Sequence, residues 1–182
     1  MRFHILLLGA LALTACQPTP ASPSMPTAPP SRTASPTPTT PPEPSFSGEH
    51  HEIYQTVRNF RDALDTWGQN PTPKFDDVIQ YTTDIAELMT AEIMSQRIAS
   101  GEVLKGRPTY RSWSINPPDT LPDGTREATV IFCQDSRSMS ILLEDGTILP
   151  RELLYWETYT VQQQPNNTWC ISNISNKETE SC

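Results

Sequence analysis

The side chains able to move protons in this chain are almost all carboxylates and phenols. The three histidines are His4, His50 and His51, and all precede the first amphipathic segment. A Ser-His-Asp or Cys-His arrangement would have to recruit its base from that junction, so nucleophilic hydrolysis of this type is not expected. No glycine-rich phosphate loop follows a strand-like run. Carboxylate chemistry stays open, because Asp62, Asp65, Asp84, Glu87, Asp135 and Glu157 all fall on predicted elements. Asp62 and Asp65 lie between the apolar positions of a helix and are expected to face water. Asp135 follows Cys133 by two positions and so shares its strand face. Its plain reading is a strand-end carboxylate that holds turn amides or pairs with Arg137 or Arg151. Trp67, Trp113, Trp156 and Trp169 are first of all core area, with one or two rimming a groove. Tyr155, Trp156 and Tyr159 offer the alternative of an exposed interaction face.

Thiols are the other reactive groups. Cys16 follows Leu13-Thr14-Ala15 at the end of an apolar run, Ile5 to Leu13, behind a short n-region carrying Arg2. The run is too short to span a bilayer and reads as a signal peptide. With its cysteine it resembles the lipobox of bacterial lipoproteins. The resemblance implies diacylglyceryl transfer to the Cys16 thiol and cleavage after residue 15. At ~0.8 kcal/mol per buried methylene, two or more acyl chains give stable anchoring. The expected site is the extracytoplasmic face of a bacterial membrane, where disulfides persist. Cys133, Cys170 and Cys182 then remain, enough for one intrachain bond and one free thiol. Cys133 and Cys170 fall in predicted strands of one meander and are the favoured pair; Cys170–Cys182 competes, and a free Cys182 would be open to an intermolecular bond. No metal site is expected, since the cysteines lack metal-ligand spacing and no histidine pair lies near them.

Between anchor and domain, Gln17 to Ser47 contains eleven prolines among serines and threonines. Such a segment favours extended polyproline II and has too few apolar groups to fold. Its 31 residues reach roughly 95 Å at ~3.1 Å per residue. The expected organisation is residues 1–15 as signal peptide, 16–48 as lipidated cysteine and stalk, and 49–182 as one α+β domain. From Glu49 onward there are 20 acidic and 11 basic residues, a balance that disfavours nucleic acid and anionic lipid.

Periodicity divides this domain in two. Ile53, Val57, Phe60, Leu64 and Trp67 make one face of a helix over Glu52–Trp67, stopped by Gly68-Gln69-Asn70-Pro71. Phe75, Val78 and Ile79 suggest a short second helix. A third, capped by Thr83 or Asp84, carries Ile85, Leu88, Met89 and Ile93 as its apolar face. The pattern then shifts to period two, with strands predicted over Tyr110–Ile115, Arg126–Asp135, Ser138–Leu143, Leu153–Gln163 and Thr168–Ile174. Asp145-Gly146 is a hairpin signal. Helices followed by an antiparallel meander form an α+β layout, the helices covering the concave face of a curved sheet.

That order, with Ala128-Thr129-Val130-Ile131-Phe132-Cys133-Gln134-Asp135 and the terminal Trp169-Cys170-Ile171, resembles small secreted actinobacterial-type lipoproteins with an NTF2-like (cystatin/NTF2 cone) domain. The resemblance implies a cone with an apolar pocket between helices and sheet. It implies no single activity, since such cones serve enzymes, ligand binders and interaction modules. NTF2-like isomerases and hydratases set a buried acid beside a tyrosine, which gives Tyr110, Tyr155 and Tyr159 a possible role. The expected function is a non-enzymatic envelope lipoprotein, without cofactor, that presents its domain to an envelope or extracellular protein. Tyr110, Trp113, Asp135, Tyr155, Trp156 and Tyr159 are the candidate pocket or interaction residues. The alternative is a pocket for a small apolar ligand, isomerase- or hydratase-like, marked by an open cavity holding an acid of raised pKa beside a tyrosine.

Overall fold

A computed structural model describes residues 43–182. Cys16, the signal peptide and the proline-rich segment through residue 42 lie outside the described residues. Three helices come first, α1 (Glu49–Gln69), α2 (Asp76–Ile79) and α3 (Asp84–Ala99). Eight strands follow: β1 (Val103–Lys105), β2 (Thr109–Ile115), β3 (Asp119–Thr120), β4 (Arg126–Asp135), β5 (Met139–Leu142), β6 (Ile148–Arg151), β7 (Leu154–Gln163) and β8 (Trp169–Thr179). They form two antiparallel sheets rather than one meander. The larger has the order β2-β4-β7-β8 with β3 on β4, and the smaller the order β1-β5-β6. The short strand β1 escaped the periodicity because three residues carry no alternation. The Asp145-Gly146 hairpin joins β5 to β6, with Gly146 at φ 85° and the Thr147 amide donating to Asp145 Oδ1.

α1 lies on the sheet through Ile53, Val57 and Phe60, all fully buried against Val130, Phe132, Tyr159, Val161 and Ile171. Its 3.6-residue stripe thus meets the two-residue alternation of β4 and β7. The Phe132 ring stands edge-on to Tyr159 at 5.1 Å and stacks on Trp113 at 4.3 Å. Trp113 reaches Phe132 through an irregularity in β2, where the register with β4 shifts between Arg111 and Ser114 and Ser112 takes φ 57°. Phe46 and Tyr54 pack on the same cluster, so the chain just before α1 is already part of the folded unit.

Two helical expectations change. α1 runs through Gly68, which serves packing rather than termination: a Cβ there would sit 2.7 Å from Leu104 Cδ1. α3 buries Ala86, Thr90 and Met94 and leaves Ile85, Leu88, Met89 and Ile93 exposed. Small residues on the buried face let α3 approach β8 closely, and that decides which stripe turns inward.

The expected Cys133–Cys170 bond is corrected. Cys133 pairs with Cys182, with their Cα atoms 6.0 Å apart, and Cys170 is free. Register explains it. Cys133 lies opposite Trp156 and Cys170 opposite Gln162. Those positions are about 20 Å apart along β7, at ~3.3 Å per residue. β8 continues to Thr179, beyond its expected end, and carries Cys182 back beside Cys133. Burial pushes the Cys170 thiol up.

Candidate functional site: a polar cavity at the end of the cone

α1 places Arg61 and Asp65 four residues apart, next to the core residues Phe60 and Leu64. Both project under the helix toward β2, β4 and β7. Arg61 Nε donates to the Tyr110 hydroxyl at 3.0 Å, Nη1 to the Tyr159 hydroxyl at 3.1 Å and Nη2 to Gln134 Oε1 at 2.6 Å. Its Nη2 also lies 3.5 Å from Asp65 Oδ1. The Tyr110 hydroxyl donates in turn to Asp65 Oδ2 at 2.5 Å, and Gln134 Nε2 donates to Ser136 Oγ at 2.8 Å. The expectation that Asp65 faces water is therefore corrected: it is 5% exposed. It sits on the flank of the apolar stripe, where an i,i+4 Arg–Asp pair can be drawn inward if the sheet supplies partners.

Burial opposes the charge on Arg61, but Tyr110, Tyr159, Asp65 and Glu157 together hold its pKa well above the ordinary value. Burial raises the Asp65 carboxyl, with Arg61 and the Tyr110 hydrogen bond pulling the other way. Burial also raises both phenols, Tyr110 and Tyr159.

Beside this network is a cavity of about 160 Å³. Arg61, Asp65, Gln134, Glu157 and Tyr159 supply polar wall, Arg97 and Arg151 stand on the α3 and β6 sides, and Leu64, Ile93, Leu104 and Met139 supply apolar wall. Glu157 is 5% exposed and makes no hydrogen bond or ion pair among the described residues. Burial lifts its pKa, against the pull of Arg61 and Arg151. Glu157 and Tyr159 alternate onto the same face of β7, about 7 Å apart along the strand. The Tyr159 oxygen accepts from Arg61, which leaves its own proton free to donate into the cavity. A carboxyl of raised pKa and a polarised phenol on one wall can bind a polar ligand end or pass a proton to it.

The other sequence candidates are distributed differently. Tyr110 belongs to the Arg61 network and, with Trp113, also lines an outer groove of about 350 Å³ bordered by Arg58, Arg107 and Arg111. Asp135 is outside the cavity on the opposite sheet face. Arg137 donates to it from Nε at 2.9 Å and Nη2 at 2.7 Å, Arg111 Nη2 stands 3.4 Å away, and its carboxyl is held below the ordinary range by the Arg137 hydrogen bonds. Tyr155 and Trp156 are half-buried and line neither space. Of the named aromatics, only Tyr159 reaches the inner cavity. The residues missed by sequence reading are Arg61, Gln134 and Arg97, while Arg151, expected as a possible partner of Asp135, lines the cavity instead. The first could have been found from its i,i+4 spacing to Asp65; the others are assembled only by tertiary packing.

No protein-family model and no curated protein matches the chain. Among solved structures it is similar to a ketosteroid isomerase-like protein from Erwinia carotovora atroseptica, at 14% identity and a TM-score of 0.50, over 75% of this chain and 100% of that one. It also matches the intermembrane space region of the chloroplast protein ARC6, at 15% identity and a TM-score of 0.46, over 75% of this chain and 100% of that one. A periplasmic fragment of TraM matches at 12% identity and a TM-score of 0.48, over 72% and 98% of the two chains. At such identities the likeness is one of fold. Helices packed on the curved antiparallel sheet make this domain an NTF2-like α+β cone.

Proposed function

We propose that the domain is a small-molecule-binding module of the bacterial cell envelope, held outside the membrane by lipid on Cys16 and by the proline-rich stalk. The observation that carries this reading is Glu157: a buried residue whose carboxyl has no hydrogen-bond or ion-pair partner among the described residues and faces a cavity beside Tyr159. A donor on a ligand in the cavity would give this carboxyl the hydrogen bond that the described residues do not supply. The apolar wall suits a ligand with a compact hydrocarbon body, and the Glu157–Tyr159 pair gives the pocket the means for isomerase-like proton transfer.

The test is a metabolite screen read by methyl NMR. A binder should perturb Leu64, Ile93 and Leu104 together, and Ile93→Trp, which narrows the mouth, should abolish the response. A screen that perturbs none of these methyls would overturn the reading. One observation favours a second reading, a protein-binding module: α3 exposes Ile85, Leu88 and Met89 on successive turns. In that case the perturbed methyls would be those of Ile85, Leu88 and Met89, with Leu64 and Leu104 silent.

A further inference from the structure

The charges on the cavity wall do not balance. Arg61 is matched by Asp65 and by three further acceptors. That leaves Arg97 and Arg151 facing a single remaining acid, Glu157. Arg97 is mostly buried, and its Nε has no hydrogen-bond partner. The nearest carboxylate, Glu102 Oε2, is 3.8 Å from that nitrogen, too far for a hydrogen bond, and Glu102 is not part of the wall. Arg151, at the end of β6, makes no side-chain hydrogen bond or ion pair among the described residues. The cavity wall therefore includes two guanidiniums with unused donors, and a guanidinium's planar fork fits a carboxylate.

Resting on the small-molecule reading above, we propose that Arg97 and Arg151 form the recognition subsite for the carboxylate of a small monocarboxylic acid, its hydrocarbon body lying against Leu64, Ile93, Leu104 and Met139. A single negative charge is the match. Glu157 and Asp65 on the same wall repel a phosphate dianion, whereas one carboxylate leaves them tolerable neighbours. Burial is the main cause that lowers the Arg97 pKa, and the nearby Arg151 adds to it, with Glu102 pulling the other way. Size sets the rest. At about 10–15 Å³ per water-sized site, the cavity has room for on the order of ten non-hydrogen atoms. That accommodates an aryl or short branched acid.

The experiment titrates the folded, disulfide-bonded domain with benzoate, benzamide and inorganic phosphate at constant ionic strength. Side-chain Nε NMR of the arginines and calorimetry are the readouts. Benzoate should shift the Arg97 Nε resonance and the Leu104 methyls. Arg151→Gln should weaken benzoate by about tenfold, the loss of one charge-assisted contact, while Arg97→Gln should weaken it at least as much. The Nε shift in the wild-type protein needs no variant to fold. Benzamide binding as tightly as benzoate, or phosphate displacing it, overturns the carboxylate subsite and leaves the pocket reading standing. If none of the three enters the cavity up to millimolar concentration while the metabolite screen yields a cavity binder, the subsite alone is overturned. If the screen is silent as well, both fall.

Discussion

Burying a guanidinium is costly unless its donors are used. Arg61 uses Nε and both terminal nitrogens, on two phenols, an amide and a carboxylate. Glu157 is the opposite case, a buried carboxyl with no hydrogen-bond partner among the described residues, favoured in its charged form only by the fields of Arg61 and Arg151. Burial raises its pKa, so the folded state holds the carboxyl proton more tightly than the unfolded chain does. The associated stability is fully present below the unfolded value, near ~4.3, and is lost as pH rises through the folded value. Glu157→Gln keeps the shape and removes the titration. Its stability relative to the wild type should therefore climb from about pH 4 upward and level off once the wild-type carboxyl has ionised. Urea unfolding of both proteins across this range measures the difference, and a flat difference would mean that Glu157 is solvated in the folded state.

At the scale of elements, long regular strands were legible and helix faces less so. β4 occupies Arg126–Asp135, its expected span, because ten residues of alternation leave little room for another register. β7 differs by one residue at its start. α3 misled for a physical reason: Ile85, Leu88, Met89 and Ile93 outweigh Ala86 and Thr90 in hydrophobicity, yet only the small residues permit the close approach to β8. Asp65 misled similarly, since no local pattern announces that Tyr110, 45 residues later, will supply a hydrogen bond. The disulfide depended on the length of β8, which sequence reading ended too early. This pairing has a direct test. Cys182→Ser should cost about 2–4 kcal/mol, and Cys170→Ser should stay within about 0.5 kcal/mol of the wild type. Denaturant midpoints settle it, and equal losses in the two variants would contradict the Cys133–Cys182 bond.

For the domain as a whole, the cone explains how an apolar core and a polar-walled cavity can coexist. Phe60, Phe132, Val161 and Ile171 fill the centre, while the polar network and the cavity gather toward β6 and the first half of β7. None of the described helices is long and apolar enough to cross a membrane, and the anchor proposed above is lipid on Cys16. Cys16→Ser should move the protein from the membrane pellet to the soluble fraction of cells fractionated at high salt. A wild-type protein already soluble after export would contradict the anchor.

The packing of Phe46 and Glu43 gives this domain a mechanical polarity. Tyr54 donates to Glu43 Oε1 at 2.8 Å, Arg58 approaches the same oxygen at 4.0 Å, and the Phe46 ring centroid is 5.4 Å from that of Tyr54. A pull on the preceding chain would load these contacts one after another, at the start of α1. Glu43 would part first and Phe46 next, and each would be a small, re-formable step. Arg61 and the cavity stand two turns or more further along the helix and would feel the force last. In that order the segment would yield before the cavity is distorted.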